Sequence, residues 1–490
     1  MQDNQENSEN SEKQIETPKK GGIDMTVGNP LKLIIKFSIP LLIGNVVQQF
    51  YLLTDTIIVG NFAQNSDDCI AGVGVAAPVM FFMTALFFGI GQGATIIISQ
   101  FFGANDKESI KKAVDTIYVF LFLAAIPLTI IGLIISPYIL KSINAEGEIL
   151  KHASTYLSIT FLGLLPSFGF NINSGILQGI GNSKISLLFL GVASSVNVVL
   201  DIIFVSVFKW DVAGVAIATV IAQVVSFIFG IYHINRRDYG FKITFNIKNL
   251  QFDPKLLKNI VKLGLPGGIQ NMMFSVGFMF LHNLVNTINA IYPGFTTGFT
   301  SAQRVDSFAF LPIMSFSAAV TAYVGQNIGA GRLDRVKSGV RTTCLLGIGS
   351  SILICLIVLP LSSNLIRLFS RTESVITFGQ GYLFRMMPFI WILAIHFIIS
   401  NTLRGAGETI VPLIGSFIGL WLARIPAAYL IYYFITPDTP VNIYYSFIVG
   451  WILGLIPVGI YYLSGKWKKR AFRFVRDKDS KDSIESVESV

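Results

Sequence analysis

Apolar residues in this chain cluster in long uninterrupted blocks, and polar residues collect in the short gaps between them. A helix needs about 20 consecutive apolar residues to cross a bilayer. Twelve runs meet that need: 31–60, 70–101, 112–140, 152–178, 184–207, 213–234, 257–288, 295–327, 338–361, 375–402, 410–434 and 442–464. Several exceed the minimum, which leaves room for tilt or bending. Pro40, Pro78, Pro127, Pro166, Pro266, Pro312, Pro388 and Pro426 lie inside them, tolerable in a bundle whose neighbours satisfy the freed carbonyls. The pattern predicts an all-α polytopic membrane protein with twelve transmembrane helices. It divides into a disordered tail (1–28), a first six-helix lobe (29–234), a linker (235–256), a second lobe (257–464) and a C-terminal tail (465–490).

Composition agrees: 52% of residues are hydrophobic and 13% charged, against about 25% charged in a soluble domain. The net charge of +9 does not point to nucleic acid, because the positive residues form no single face. They collect in loops after even-numbered spans, such as Lys107, Lys111 and Lys112, or Arg332, Arg335 and Lys337. The positive-inside rule then puts both termini in the cytoplasm. No basic, short-apolar leader opens the chain, so no cleaved signal peptide is expected. Three cysteines and four histidines without ligand spacing make neither a disulfide framework nor a metal cluster.

One internal repeat recurs at an offset of 226 residues: Pro40 falls on Pro266, Asn45 on Asn271, Gln100 on Gln326, Gly103 on Gly329, and Ser174, Leu177, Gly179 and Gly181 on Ser400, Leu403, Gly405 and Gly407. Six spans separate equivalent points, so the halves cross in the same direction. Parallel repeats are related by a pseudo-two-fold axis along the membrane normal, with a substrate path between them. Two copies packed only for stability is the alternative.

Pro40 with Thr54-Asp55, Gln178-Gly179-x-Gly181-Asn182, Asn197-x-x-x-Asp201 and Gly325-Gln326-Asn327-x-Gly329-Ala330-Gly331 carry a likeness over about residues 28–465. In these segments the chain resembles the multidrug and toxic compound extrusion (MATE) family. The resemblance implies a V-shaped pair of lobes that alternates between outward-open and inward-open states, driven by Na⁺ or H⁺ entry. Because spans 7 and 10 contain no Asp or Glu, the resemblance is to the DinF and MepA branch of bacterial exporters, not to the NorM branch. It also implies a bacterial cytoplasmic membrane, and a chain working as a monomer is expected.

An ionisable group at membrane depth is expensive and a functional candidate by default. Asp55 and Asp201 are the two in the first lobe, and Asn197 lies four residues before Asp201 on one helix face. At ~1.5 Å rise per residue, Asp55, Asp201 and Thr219 all lie roughly 9 Å below the outer surface and can meet. Two carboxylates, an amide and a hydroxyl suit a hard cation. The same pair would alternatively share a proton, since burial and a like neighbour favour the neutral acid. A hydrogen-bonded helix contact for Asp201 and an interfacial cap for Asp55 are the structural alternatives. In the resembling transporters, residues matching Asp55, Asn197, Asp201 and Thr219 form the cation site, which implies Na⁺ or H⁺ as coupling ion and no organic cofactor.

In the second lobe Arg304 and Asp306 are two apart, a spacing that does not favour pairing on one helix. Arg424, mid-span, is a candidate partner for Asp306, and a buried ion pair holding helices together is the favoured reading. His282 falls one residue off the repeat position of Asp55. Span 7 adds Gln270 and Met273 among aromatic residues, a surface suited to promiscuous or cationic ligands. Gln270, Met273, Arg304, Asp306 and His282 are therefore the candidate substrate path. Neither a phosphate loop nor a nucleophile–base pair is present in the sequence, so no enzyme is expected. The expected function is cation-coupled antiport exporting small organic compounds, with a lipid-linked precursor flippase as the alternative.

Overall fold

The computed structural model describes residues 22–62, 66–142, 146–244, 246, 248, 250–436 and 438–468; most of the two expected tails lies outside these. Among the described residues all regular structure is helical. The first lobe comprises α1 (Pro30–Phe62), α2 (Ser66–Gly103), α3 (Lys107–Ser142), α4 (Gly147–Leu162 and Leu164–Gly179), α5 (Ser183–Asp201, continued by Ile202–Val207) and α6 (Asp211–Arg236). The second comprises α7 (Pro254–Ile291), α8 (Phe295–Gly329), α9 (Leu333–Arg367), α10 (Glu373–Met386 and Ile390–Gly405), α11 (Ile410–Phe417, Ile418–Arg424, Ile425–Leu430 and Ile431–Ile435) and α12 (Tyr445–Leu463). These are the twelve runs of the hydropathy pattern, longer by a few residues at most ends. Among the described residues, nine of the helices, and α4 with its 55° bend, are by themselves long and apolar enough to cross a membrane. At Pro388, which lacks an N–H, α10 passes through a short 3₁₀ turn, Met387–Phe389.

Each lobe encloses its own apolar core, the first around Ile117, Leu157, Ile176 and Phe189, the second around Leu284, Phe299, Leu383 and Tyr444. The repeat explains how the helices end. Gly181 and Gly407 adopt φ of 85° and 83°, a region costly for residues with a Cβ. In that conformation Gly181 N–H donates to Gln178 O (3.0 Å) and Asn182 N–H to Leu177 O (2.7 Å), while Gly407 and Glu408 repeat the pattern on Arg404 O and Leu403 O (2.8 Å each). Both are Schellman closures that satisfy the last carbonyls of a helix.

At the end of the bundle that carries both described termini, the lobes meet in a reciprocal contact. Gln100 Nε2 donates to Gly405 O (3.0 Å) and its repeat partner Gln326 Nε2 donates to Gly179 O (3.2 Å). Gly103 and Gly329 make the approach possible: a Cβ on Gly103 would collide with the backbone of Gln326, and one on Gly329 with that of Gln100.

One sequence expectation needs correction here. Residues 22–28, assigned to a disordered tail, are ordered and strap the two lobes together. Ile23 N–H donates to Gly181 O (3.2 Å) in the first lobe, and Met25 N–H to Gln326 Oε1 (2.8 Å) in the second. Met25 is fully buried, and Arg332 and Arg335 donate to the carbonyls of Thr26 and Gly28 (2.8 Å each). The polarity of the segment is satisfied by helix-end groups instead of water. The linker, likewise, is tied to α3: Gln251 N–H donates to Asp115 Oδ2 (3.2 Å) and Asp253 N–H to Thr116 Oγ1 (3.1 Å).

Each neutral hydrogen bond contributes about 0.5–1.5 kcal/mol. The double variant Gln100→Ala/Gln326→Ala is therefore expected to raise the ratio of open to closed forms at this end by roughly tenfold. Distances between spin labels placed on the two lobes near residues 104 and 330 will read it; an unchanged distance distribution would show that these bonds do not hold the ends together.

Candidate functional site

Helix α1 presents Tyr51 and Asp55, one turn apart, toward α5 and α6. Helix α5 brings Asn197 and Asp201, both fully buried, and immediately after Asp201 it widens into a π-helical stretch, Ile202–Val207. Such stretches interrupt the regular i→i−4 ladder and recur at functional sites. Helix α6 supplies Thr219. The four residues singled out from spacing and depth therefore meet in one pocket. Asn197 Nδ2 donates to Thr219 Oγ1 (3.3 Å), and the Tyr51 hydroxyl lies 3.3 Å from the same oxygen. The carboxyls of Asp55 and Asp201 lie side by side, with Tyr51 next to Asp55 and Asn197 next to Asp201.

What the pocket lacks is positive charge. Asp55 Oδ1, Asn197 Oδ1 and both carboxylate oxygens of Asp201 are buried without a donor. Among the described residues, no Lys, Arg or His forms an ion pair with either aspartate. Beyond the pocket, Ile58, Val59, Cys69, Val205, Val212 and Val215 pack as an apolar cover. Buried acceptors without donors cost about 1–3 kcal/mol each and more when charged. A bound proton or a small hard cation removes that cost, and oxygen ligands of this kind fit either. Tyr51 and Tyr156, which stands close enough to feel both carboxylates, escaped sequence reading. The four-residue spacing of Tyr51 and Asp55 is the one signal that pointed to Tyr51; Tyr156 had none.

The second-lobe candidates do not converge. Asp306 lines a cavity of about 400 Å³ and accepts from the Tyr382 hydroxyl (3.2 Å). Arg304, two residues away and so on the other side of α8, is exposed, its guanidinium 5.4 Å from the Phe369 ring centre. His282 packs edge-on against Phe299 (5.3 Å) and stands beside Gln303. Gln270 donates to Ser416 and accepts from Arg404, which also donates to Gln92 Oε1 of the first lobe (3.3 Å). Met273 is half-buried and off the cavity wall. Of the five, only Asp306 faces the cavity. Gln270, Arg304 and His282 are occupied elsewhere because each has a closer polar or aromatic partner. Arg424 shares the cavity with Asp306, yet no ion pair joins them within 4.0 Å, so the favoured reading of a helix-holding salt bridge is replaced by two separated charges.

The lobes touch near both sites. Asn45 Nδ2 donates to Ser315 Oγ (3.1 Å) and Gln49 Nε2 to Ser307 Oγ (3.0 Å), with Phe50 against Phe308 (6.1 Å).

The MatE family model matches this chain twice, over residues 40–203 and 266–430, whose starts lie 226 residues apart. Among curated relatives, the probable multidrug resistance protein YpnP of Bacillus subtilis is 28% identical over 82% of this chain and 88% of its own. The probable multidrug resistance protein NorM of Thermotoga maritima is 27% identical over 90% and 94%. A solved structure described as the outward-facing conformation of a multidrug resistance MATE family transporter of the MOP superfamily aligns with a TM-score of 0.83 at 25% identity, covering 92% of this chain and 98% of that one.

Two like charges side by side repel only when both are ionised, so the pair destabilises the ion-free protein more as pH rises. Asp201→Asn removes one charge. In detergent without Na⁺ at alkaline pH the variant is expected to unfold a few degrees above wild type, with the gap closing in acid. Thermal unfolding followed by tryptophan fluorescence across pH tests this; equal midpoints at every pH would mean the carboxyls never repel.

Proposed function

The chain belongs to the MatE family of transporters, and from that premise we propose that it exports small, often cationic or amphipathic organic compounds in exchange for Na⁺ or H⁺ held by Asp55, Asn197, Asp201 and Thr219. The reading rests on one observation: four buried acceptor oxygens, two carboxylates among them, meet without a single donor. Such a pocket is stable only when a positive species occupies it, so its shape depends on occupancy. Occupancy that favours one lobe arrangement shifts the populations of the two, and a substrate favouring the other opposes it. A gradient of the cation then drives the substrate outward.

The positive-inside rule assigns the reciprocal Gln100 and Gln326 contacts, and both termini, to the cytoplasmic side of a bacterial membrane. With that end closed, the path between the lobes faces outward. A flippase for lipid-linked precursors would want a basic cavity between the lobes, but Arg385 donates to Asn442 Oδ1 (3.1 Å), Arg304 lies over Phe369, and Arg424 stands in a cavity inside the second lobe that it shares with Asp306, which favours export of small compounds.

Asp55→Asn and Asp201→Asn are each expected to abolish gradient-driven efflux of a dye from liposomes, at least about 100-fold below wild type, because each removes a ligand and a charge of the site. Na⁺ and H⁺ gradients applied separately identify the coupling ion. Wild-type efflux in both variants, with normal insertion, would reject the site.

A further inference from the structure

The second-lobe cavity, enclosed by α7, α8, α10, α11 and α12, has a volume of about 400 Å³, within the range of small-molecule sites, about 300–1,000 Å³. Its walls carry several aromatic side chains, Phe274, Phe310, Tyr382 and Trp451 among them. The two charged side chains that reach it are not equivalent. Asp306 is engaged by Tyr382. Arg424 is 8% exposed, and its Nε and Nη2 have no hydrogen-bond partner. Its guanidinium rests over the rings of Phe447 (3.2 Å) and Phe278 (5.1 Å). Ring faces offset part of the charge, but they leave N–H donors unmade.

Two further features mark the position. Arg424 closes a π-helical stretch, Ile418–Arg424, as Asp201 opens one in α5. In the repeat register it sits one residue beyond Ala423, the partner of Asn197. At matching places the lobes thus bury opposite deficits, acceptors without donors in the first and donors without an acceptor in the second. Nε and Nη2 form one edge of the guanidinium, the planar fork that fits both oxygens of a carboxylate.

We propose that this cavity is a binding site for aromatic carboxylates, the acid group paired with the guanidinium of Arg424 and the ring against the surrounding aromatic side chains. Calling the bound compound a transported substrate rests on the export function above; binding itself does not. The negative charge of Asp306 opposes the ligand and limits its affinity.

Three dansyl probes of one size test the site by fluorescence titration of the purified full-length protein: dansylglycine, its neutral amide, and cationic N-dansylethylenediamine. Wild type is expected to bind the acid at least about tenfold more tightly than the amide, the gain of a charge-assisted bidentate contact. Arg424→Gln erases the preference, Arg424→Lys keeps part of it, and Asp306→Asn tightens acid binding severalfold. A wild type that prefers the amide or the amine, or an acid preference that survives Arg424→Gln, overturns the proposal. If Arg424→Gln does not fold, the wild-type series and Arg424→Lys still decide. Acid preference in a protein that shows no gradient-driven efflux would sink the exchange reading and leave this site standing; efflux without acid preference would do the reverse.

Discussion

Two carboxylates, one from α1 and one from α5, share a buried pocket that offers them no opposing charge. In water such a pair would be unremarkable, but in a low-dielectric interior the desolvation of two like charges is unfavourable by several kcal/mol. The surrounding fold carries the consequence. An apolar cover of Ile58, Val59 and Val205 keeps water away from one side, and hydroxyls of Tyr51 and Thr219 supply polar contacts without charge. The α-helical ladder gives way to a π-helical stretch directly after Asp201. The arrangement as it stands is short of donors for its buried carboxylate oxygens.

Duplication of a six-helix unit turns local contacts into paired ones. Each lobe offers one glutamine donor and one helix-end carbonyl, and the two bonds, Gln100 to Gly405 and Gln326 to Gly179, form together in one relative placement of the lobes. Neither survives alone if the lobes tilt, because the glycine contact beside each requires backbones to touch. The closed end is therefore cooperative, the property a two-position device needs. The strap at residues 22–28 adds contacts to both lobes that the repeat does not supply.

Much of this was legible in the sequence because the bilayer imposes a simple rule: about 20 apolar residues per crossing. The twelve spans follow from it, matched residues such as Pro40 and Pro266 give the 226-residue offset, and rise per residue placed Asp55, Asp201 and Thr219 at one depth. What stayed hidden depends on side-chain direction and on partners remote in sequence. Gln270 reads as a pocket residue until Arg404 and Ser416 claim it, and Arg404 reads as a loop charge although it bridges α10 to Gln92 across the lobes. Asp306 and Arg424 look like an ion pair because both are charged and mid-span, but only coordinates separate them. Residues 22–28 are too polar for a core by composition, and their burial comes from capping groups contributed by two distant helices.

The geometry of α1 joins the two halves of the molecule. Asn45, Gln49, Tyr51 and Asp55 span less than three turns of one helix, a length over which an α-helix behaves as a rigid rod. Gln49 bonds Ser307 of α8, the neighbour of Asp306 on the cavity wall, while Asp55 faces Asp201. Any displacement of Asp55 as its charge is neutralised must shift Gln49 by a similar amount or break its bond to Ser307. Breaking it leaves polar groups unpaired between the lobes, at about 1–3 kcal/mol, comparable to the coupling free energies that link distant binding sites. The carboxylate pair of the first lobe and the cavity wall of the second are thus joined through one helix and one hydrogen bond.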